Sequence, residues 1–333
     1  MAQVLLLSAA PESLDPYNRG AFRKLLESAK IDIFGQHSLT DDPATADLIL
    51  FAELYGTGLY FEGVRKHALV RKFREKCFLF CSNDFVIPFL PGVYASIEKR
   101  WASARTRSGF YLAVSENEFV DFTPPTDALP CLFCFLGATD THPVRHKLAT
   151  LSHPRGFFRD TSPDYADVLG GKLRETEMRD YWRRYADISK SSKFILCPRG
   201  MGASSVRLFD TMRMGRVPVI LSDQWIEPCG PCWSKFSLRI SEAEVASVPA
   251  VVERHESRAV EMGKLARAQW DEWFSPPVSF HRVVEWCLEI QHGRKLPERI
   301  ARFAPFIQYL RPFHFRHLLR TKYRAWRRRN EIG

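Results

Sequence analysis

The sequence predicts an α/β protein built from two Rossmann-like domains and ending in a basic helical tail. Three observations carry that expectation. Residues 193–223, KFILCPRGMGASSVRLFDTMRMGRVPVILSD, read as strand, glycine turn, capped helix and strand, the βαβ unit of a parallel sheet. The first 81 residues alternate apolar runs with amphipathic stretches in the same rhythm. A chain of 333 residues, 45% apolar and 26% charged, is long enough for two domains, and the proline-rich FTPPTDALP at 122–130 is the natural break between them.

Taken in order, the first domain (1–126) reads as a strand at 4–7, a helix at 20–29, a strand at 48–51, a helix around 61–73 and a strand at 78–81. The second (127–275) opens with a strand at 132–136 and a helix from His142, continues through a helix near 180–189 into the 193–223 unit, and closes with a strand at 236–240 and a helix over about 248–273. Pro276 and Pro277 interrupt the chain, and residues 276–293 hold a last helix, about 280–291, expected to pack back on the first domain. Residues 294–333 form the tail. Neither domain contains GxGxxG, which argues against a dinucleotide oxidoreductase.

The 193–223 unit carries the chemistry. Its apolar strand runs into Pro198-Arg199-Gly200-Met201-Gly202, where glycine lets the backbone approach a ligand closely. Ser204 and Ser205 stand at the N-cap of a helix that ends at Gly215. The amides and positive dipole end of such a helix favour an anion, and Arg199 and Arg207 supply forked donors suited to phosphate. Asp210, one turn after Arg207, lies on the same face and is placed to accept from ribose hydroxyls. The bland alternatives are a plain cap for Ser204 and a surface ion pair for Arg207.

This block resembles the signature of exostosin-type glycosyltransferases, in which a CPRG turn, a Ser-Ser element, an RLF-[DE] helix and a PV-I-L-S-D strand follow one another. Residues 131–148, CLFCFLGATDTHPVRHKL, are similar to the family's strand, glycine turn and H-P-x-R helix, and residues 81–101, containing SNDFVIPFLPG, resemble an acceptor-side segment. The likeness covers roughly 80–290. It implies a GT-B architecture, two Rossmann-like domains facing across a cleft, with a nucleotide-sugar donor, of UDP type, held mainly by the second domain. It also implies transfer that needs no metal and usually inverts the anomeric carbon, here as a hexosyl- or pentosyltransferase acting on a glycan or lipid-linked glycan. The donor set is then Gly137, His142, Arg145, Arg199, Gly200, Ser204, Ser205, Arg207, Asp210, Asp223 and Glu227, the last displaced by one position from the family's acidic residue. The catalytic base belongs at a strand end of the first domain, where Asp84 and Glu53 both qualify. His142 and His67 are lesser candidates. A non-catalytic exostosin-like partner that binds glycan or nucleotide sugar is the alternative function.

The net charge of +10 is local. Of 48 basic residues 12 lie in 294–333, against two of the 38 acidic ones, so residues 1–293 carry equal numbers of both signs and no nucleic-acid footprint. In the tail, Phe315, Leu318, Leu319, Tyr323 and Trp326 share one helical face while Arg316, Arg320, Arg324 and Arg327 share another. That pattern fits either a helix lying on an anionic membrane surface or a terminal helix docked on the protein. With no long apolar span and no signal-like start, the expectation is a cytoplasmic enzyme of microbial type, peripheral on the inner leaflet. Cys229-Gly-Pro-Cys232 copies a thioredoxin-like motif outside its fold context, so the eight cysteines read as reduced structural thiols. There is no Asp-x-Asp motif or other cluster of hard oxygen ligands, so no metal and no separate cofactor is expected.

Overall fold

A computed structural model describes residues 1–12, 19–54, 58–84, 87–112, 117–169 and 174–331; Phe85 and Val86 of the SNDF segment lie outside these. The first sheet takes β1 (Ala2–Leu7), β2 (His37–Leu39), β3 (Leu48–Glu53), β4 (Cys77–Cys81), β5 (Gly92–Tyr94) and β6 (Thr106–Ser108) in the order β2-β1-β3-β4-β5-β6. The second takes β7 (Cys131–Gly137), β8 (Gly156–Asp160), β9 (Ser192–Pro198), β10 (Val217–Leu221) and β11 (Leu238–Arg239) in the order β11-β10-β9-β7-β8. Every pairing within both sheets is parallel. The central strands β3, β4 and β9 are buried along their whole length, which is why they read as continuous apolar runs rather than alternating ones.

The helices are α1 (Gly20–Lys30), α2 (Glu62–Lys66), α3 (Ala68–Lys72), α4 (Pro143–Leu148), α5 (Ser162–Leu169), α6 (Glu175–Lys190), α7 (Val206–Arg213), α8 (Trp233–Phe236), α9 (Val248–His255), α10 (Ala259–Trp273), α11 (Pro276–His292), α12 (Glu298–Ala301) and α13 (Pro312–Glu331). Pro276 and Pro277 start α11 rather than delay it, because a helix's first turn needs no amide donors. α11 runs back from the second sheet and packs on α1 of the first. Ser28 of α1 donates to the Pro276 carbonyl and accepts from the Phe280 amide. Phe110 of the first domain meets Phe209, Phe274 and Trp286, so one aromatic core runs beneath both sheets.

The buried Arg216 spends its guanidinium on the carbonyls of Thr123, Lys190, Met214 and Gly215, which ties the 122–130 connection to the second sheet. Gly215 ends α7 with φ +72, a left-handed conformation that favours glycine.

Several expected elements differ. The helix at 61–73 is two short ones, because His67 is extended and its ring accepts from the Leu69 amide as a new N-cap. The strand at 236–240 is reduced to Leu238–Arg239, its start taken by α8. The helix over 248–273 is broken by a 3-10 turn at Glu256–Arg258. Strands β2, β5, β6 and β8 carry no sequence signal; three of them are three residues long, too short to show a period.

Candidate active site

A cleft of about 260 Å³ opens where the carboxyl ends of β7 and β9 face the first domain. Its floor is Leu136, Gly137 and Ala138, and its inner wall is the start of α7 from Ser204 to Arg207. One side is the aromatic face of α6 (Tyr181, Trp182, Tyr185), and the far rim is Asp84, Tyr111 and Asn117. This is the sheet edge at which open α/β folds bind ligands.

Three arginines were expected to grip phosphate, and the structure separates them. Arg145 lines the cleft but spends its guanidinium on backbone carbonyls, Nε on Arg199 (2.9 Å) and Nη1 on Ala138 (2.9 Å), so it laces the ends of β7 and β9 together. Arg199 is buried outside the cleft and crosses the domain boundary to Glu98 (3.0 Å). Arg207 enters the cleft. Its Nη2 donates to the Leu136 carbonyl and its plane lies 4.7 Å from the Phe135 ring centroid, but its buried Nε has no partner. The Ser204 hydroxyl, in the same wall, is also buried without a well-directed hydrogen bond.

The glycines explain the approach. A Cβ on Gly137 would sit 2.3 Å from Arg207 Nη2, so Gly137 is bare to let that guanidinium lie across the end of β7. Gly200 gives room to Arg145 in the same way, at 2.9 Å. Ser205 is the N-cap residue of α7, with extended backbone, yet its hydroxyl makes no capping bond. The α7 amides are therefore not closed by the expected side chain.

Asp84 stands on the opposite rim. It accepts from the Tyr111 hydroxyl (2.7 Å), and burial pushes its carboxyl above the ordinary carboxylate range, against that hydrogen bond and the charge of Arg145. Gly202, from the arginine-bearing turn, packs so close that a Cβ there would lie 2.6 Å from Asp84 Oδ1 and 2.1 Å from Ser96 Oγ. Asp84 also lines a second cavity of about 630 Å³, walled by Tyr60, Ser96, Glu98, Arg100 and Trp101 and by Arg311, Pro312 and His314 at the start of α13. One carboxylate thus borders two compartments. Asp210 faces the first; burial raises its carboxyl to about 6, with Tyr185 donating to it at 3.1 Å.

The remaining expected site residues lie elsewhere. Glu53 is fully buried, accepts from Ser8 and from the Ala9 amide, and lines neither cavity. His142 caps α4 through the Val144 amide. Asp223 is exposed and paired with the backbone of Glu242, and Glu227 is exposed beside Arg239 at 3.3 Å. Sequence reading missed Tyr111, Tyr185, Glu98 and Trp101, which come together only through the fold. The spacing of Tyr181, Trp182 and Tyr185 in α6 was the one available clue.

The tail docks by its first turn. His314 is buried, its Nδ1 2.6 Å from the Tyr60 hydroxyl, while Phe315, Leu319, Tyr323 and Trp326 are exposed, as are Arg316, Arg320 and Arg324. No described helix is long and apolar enough to cross a membrane.

The family model for the exostosin GT47 domain matches residues 82–255, slightly more than half of the chain. Among curated proteins, the exostosin-1 homolog of Caenorhabditis elegans is 32% identical over 103 residues, which is 30% of this chain and 27% of that protein. Exostosin-1a of Danio rerio is 26% identical over 151 residues, 40% of this chain and 20% of its own length. The chain therefore matches under a third of either relative. Among solved structures, Anabaena Alr3699/HepE in complex with UDP superposes with a TM-score of 0.38 at 9% identity, over 86% of this chain and 99% of that one. WaaG, a glycosyltransferase involved in lipopolysaccharide biosynthesis, gives 0.37 at 11% identity, over 88% and 100%.

Proposed function

This chain belongs to the exostosin GT47 family, and from that premise we propose that it transfers a sugar from a UDP-type nucleotide donor to a hydroxyl of a glycan or lipid-linked glycan. Its two parallel sheets, facing across a cleft and joined by a returning helix, are a GT-B arrangement. The observation that carries the reading is the pairing of unspent donors with a raised acid across one cleft. Arg207 Nε is buried without a partner on one wall, beside a Ser204 Oγ that lies near Tyr111 without a well-directed hydrogen bond, and Asp84 is on the other. A buried donor left unsatisfied is costly, and an incoming diphosphate would satisfy both.

In the proposed step the acceptor hydroxyl enters from the larger cavity and gives its proton to Asp84. Its oxygen forms the new bond to the anomeric carbon while the bond to the diphosphate breaks. The electron pair departs with the nucleotide, and Arg207, Ser204 and the α7 amides take up the developing charge. Attack and departure on opposite walls make inversion the expected outcome. The arginine supplies the positive charge that a metal would otherwise bring. The aromatic face of α6 suits the nucleoside, and Tyr60 and Trp101 suit an acceptor sugar.

The tail extends the proposal to the membrane surface. The helix that begins at the wall of the acceptor cavity carries an exposed Phe315-Leu319-Tyr323-Trp326 stripe beside exposed arginines, and Phe303, Ile307 and Leu310 just before it are exposed too. Laid on an anionic cytoplasmic leaflet, it would present lipid-linked acceptor to Asp84.

Titration of purified protein with UDP-sugars, followed by a transfer assay, tests the reading. Wild type is expected to bind and turn over, and Asp84→Asn to bind without turnover. Binding by wild type with no turnover on any glycan or lipid-linked acceptor would instead identify a non-catalytic partner.

A further inference from the structure

Outside both cavities, the sequence closes a second cluster of ligating groups that the transfer reaction does not use. His281 and Glu285 stand one turn apart on the same face of α11, the i, i+4 spacing that brings two side chains together. Opposite them is His37, the first residue of the edge strand β2. Nitrogen or oxygen atoms from all three lie within 4.8 Å of one another.

The two imidazoles are buried and poorly satisfied. The His37 side chain is 2% exposed and His281 is 5% exposed. Glu285 Oε1 approaches His37 Nε2 to 2.9 Å but out of line for a hydrogen bond, and Nδ1 of both histidines lacks a partner. Rings at 5.0 Å, tilted by 30°, with both Nδ1 atoms buried and unpaired, are an expensive way to fill a core. Phe34 stacks on His281 at 4.0 Å and fixes the ring.

We propose that His37, His281 and Glu285 form a binding site for a divalent transition-metal ion, Zn²⁺ by ligand type, that fastens the edge of the first sheet to α11. Two imidazoles and one carboxylate are a zinc donor set with one position left for water. Glu285, 43% exposed, is the member free to close on the ion. The same loop is already pinned there by the Ile33 amide on the Pro277 carbonyl, so the ion would add a clip where the chain re-enters the first domain. None of the three residues lines either cavity, so the site is structural and leaves the transfer step metal-independent.

The test uses full-length protein stripped with a chelator and titrated with Zn²⁺ alone, with Co²⁺ absorption as a second readout. Cys229 and Cys232 are changed to serine throughout, because this exposed pair offers thiolates of its own. The expected results are one ion per chain, a raised melting temperature, and a Co²⁺ spectrum without thiolate charge transfer. His37→Gln should abolish binding. Glu285→Gln, on the helix surface and therefore safe for folding, should weaken it by about tenfold or more. Absence of binding to the stripped protein, or binding that survives both Glu285→Gln and His37→Gln, overturns the proposal.

Discussion

The two walls of the cleft are built in opposite ways. The second-domain wall comes from short contiguous pieces, β7 with its turn and β9 with its turn and α7, and its arginines are fixed by the carbonyls of those same strands. The first-domain wall is gathered from distant parts of the chain. Asp84, Ser96, Trp101, Tyr111 and, from the tail, His314 meet there, held by cross-contacts such as Tyr60 to His314 and Arg199 to Glu98. In the proposed reaction, the wall that would grip the diphosphate is set by local backbone geometry, and the wall that would fit the acceptor is assembled from loops, which change without disturbing the sheet.

If that division is right, the largest effect belongs to Asp84 on the gathered wall. Asp84→Asn should lower kcat by roughly 10²–10⁴-fold while nucleotide affinity stays near wild type, read by steady-state kinetics and calorimetry. Because burial raises the Asp84 carboxyl, wild-type turnover should fall as pH drops through that elevated value, and the acid limb should vanish in the variant. Arg207→Ala should cost roughly 10²–10³-fold in transfer and, unlike Asp84→Asn, should also weaken UDP binding. Equal behaviour of the two variants would erase the distinction between the walls.

Gly202 sits where the walls touch. Gly202→Ala must displace both Asp84 and Ser96, so it should cost about 1–3 kcal/mol of stability by thermal or denaturant unfolding and impair turnover without changing any ionisable group. Glu53 provides the contrast of an acid outside the cleft. Burial raises it from an ordinary 4.5 to about 7, so the folded state keeps a proton that the unfolded chain sheds across this window. Stability should therefore fall by up to roughly 3 kcal/mol as pH rises from about 4.5 to 7. Glu53→Gln should flatten that slope. The smallest effect is expected at the tail, where Trp326→Ala should weaken binding to anionic vesicles, measured by flotation, and leave turnover of a soluble acceptor unchanged.

The same contrast governs what the sequence discloses. The βαβ unit was legible because apolar strand, glycine turn and capped helix are local signals, and β10 appears over the residues they mark. Asp84, picked out by its place at a strand end, does line both cavities. Arg199 was not legible, since its partner Glu98 is 101 residues away and nothing local separates a phosphate ligand from an interdomain ion pair. His142 and Glu53 line neither cavity, and each is engaged by a neighbouring amide. A short polar side chain at a strand or helix end is as readily used by a neighbouring amide as by a ligand. Strands of three residues carry no period at all, which hid β2, β5 and β6.

The central claim is that Arg207 and Ser204 hold a diphosphate across from Asp84. A crystal structure of the protein with UDP tests it most directly. The account predicts the diphosphate within hydrogen-bond distance of Arg207 Nε and Ser204 Oγ at the start of α7, with the nucleoside along α6. UDP bound elsewhere, or a cleft closed by its own side chains at saturating UDP, would contradict it.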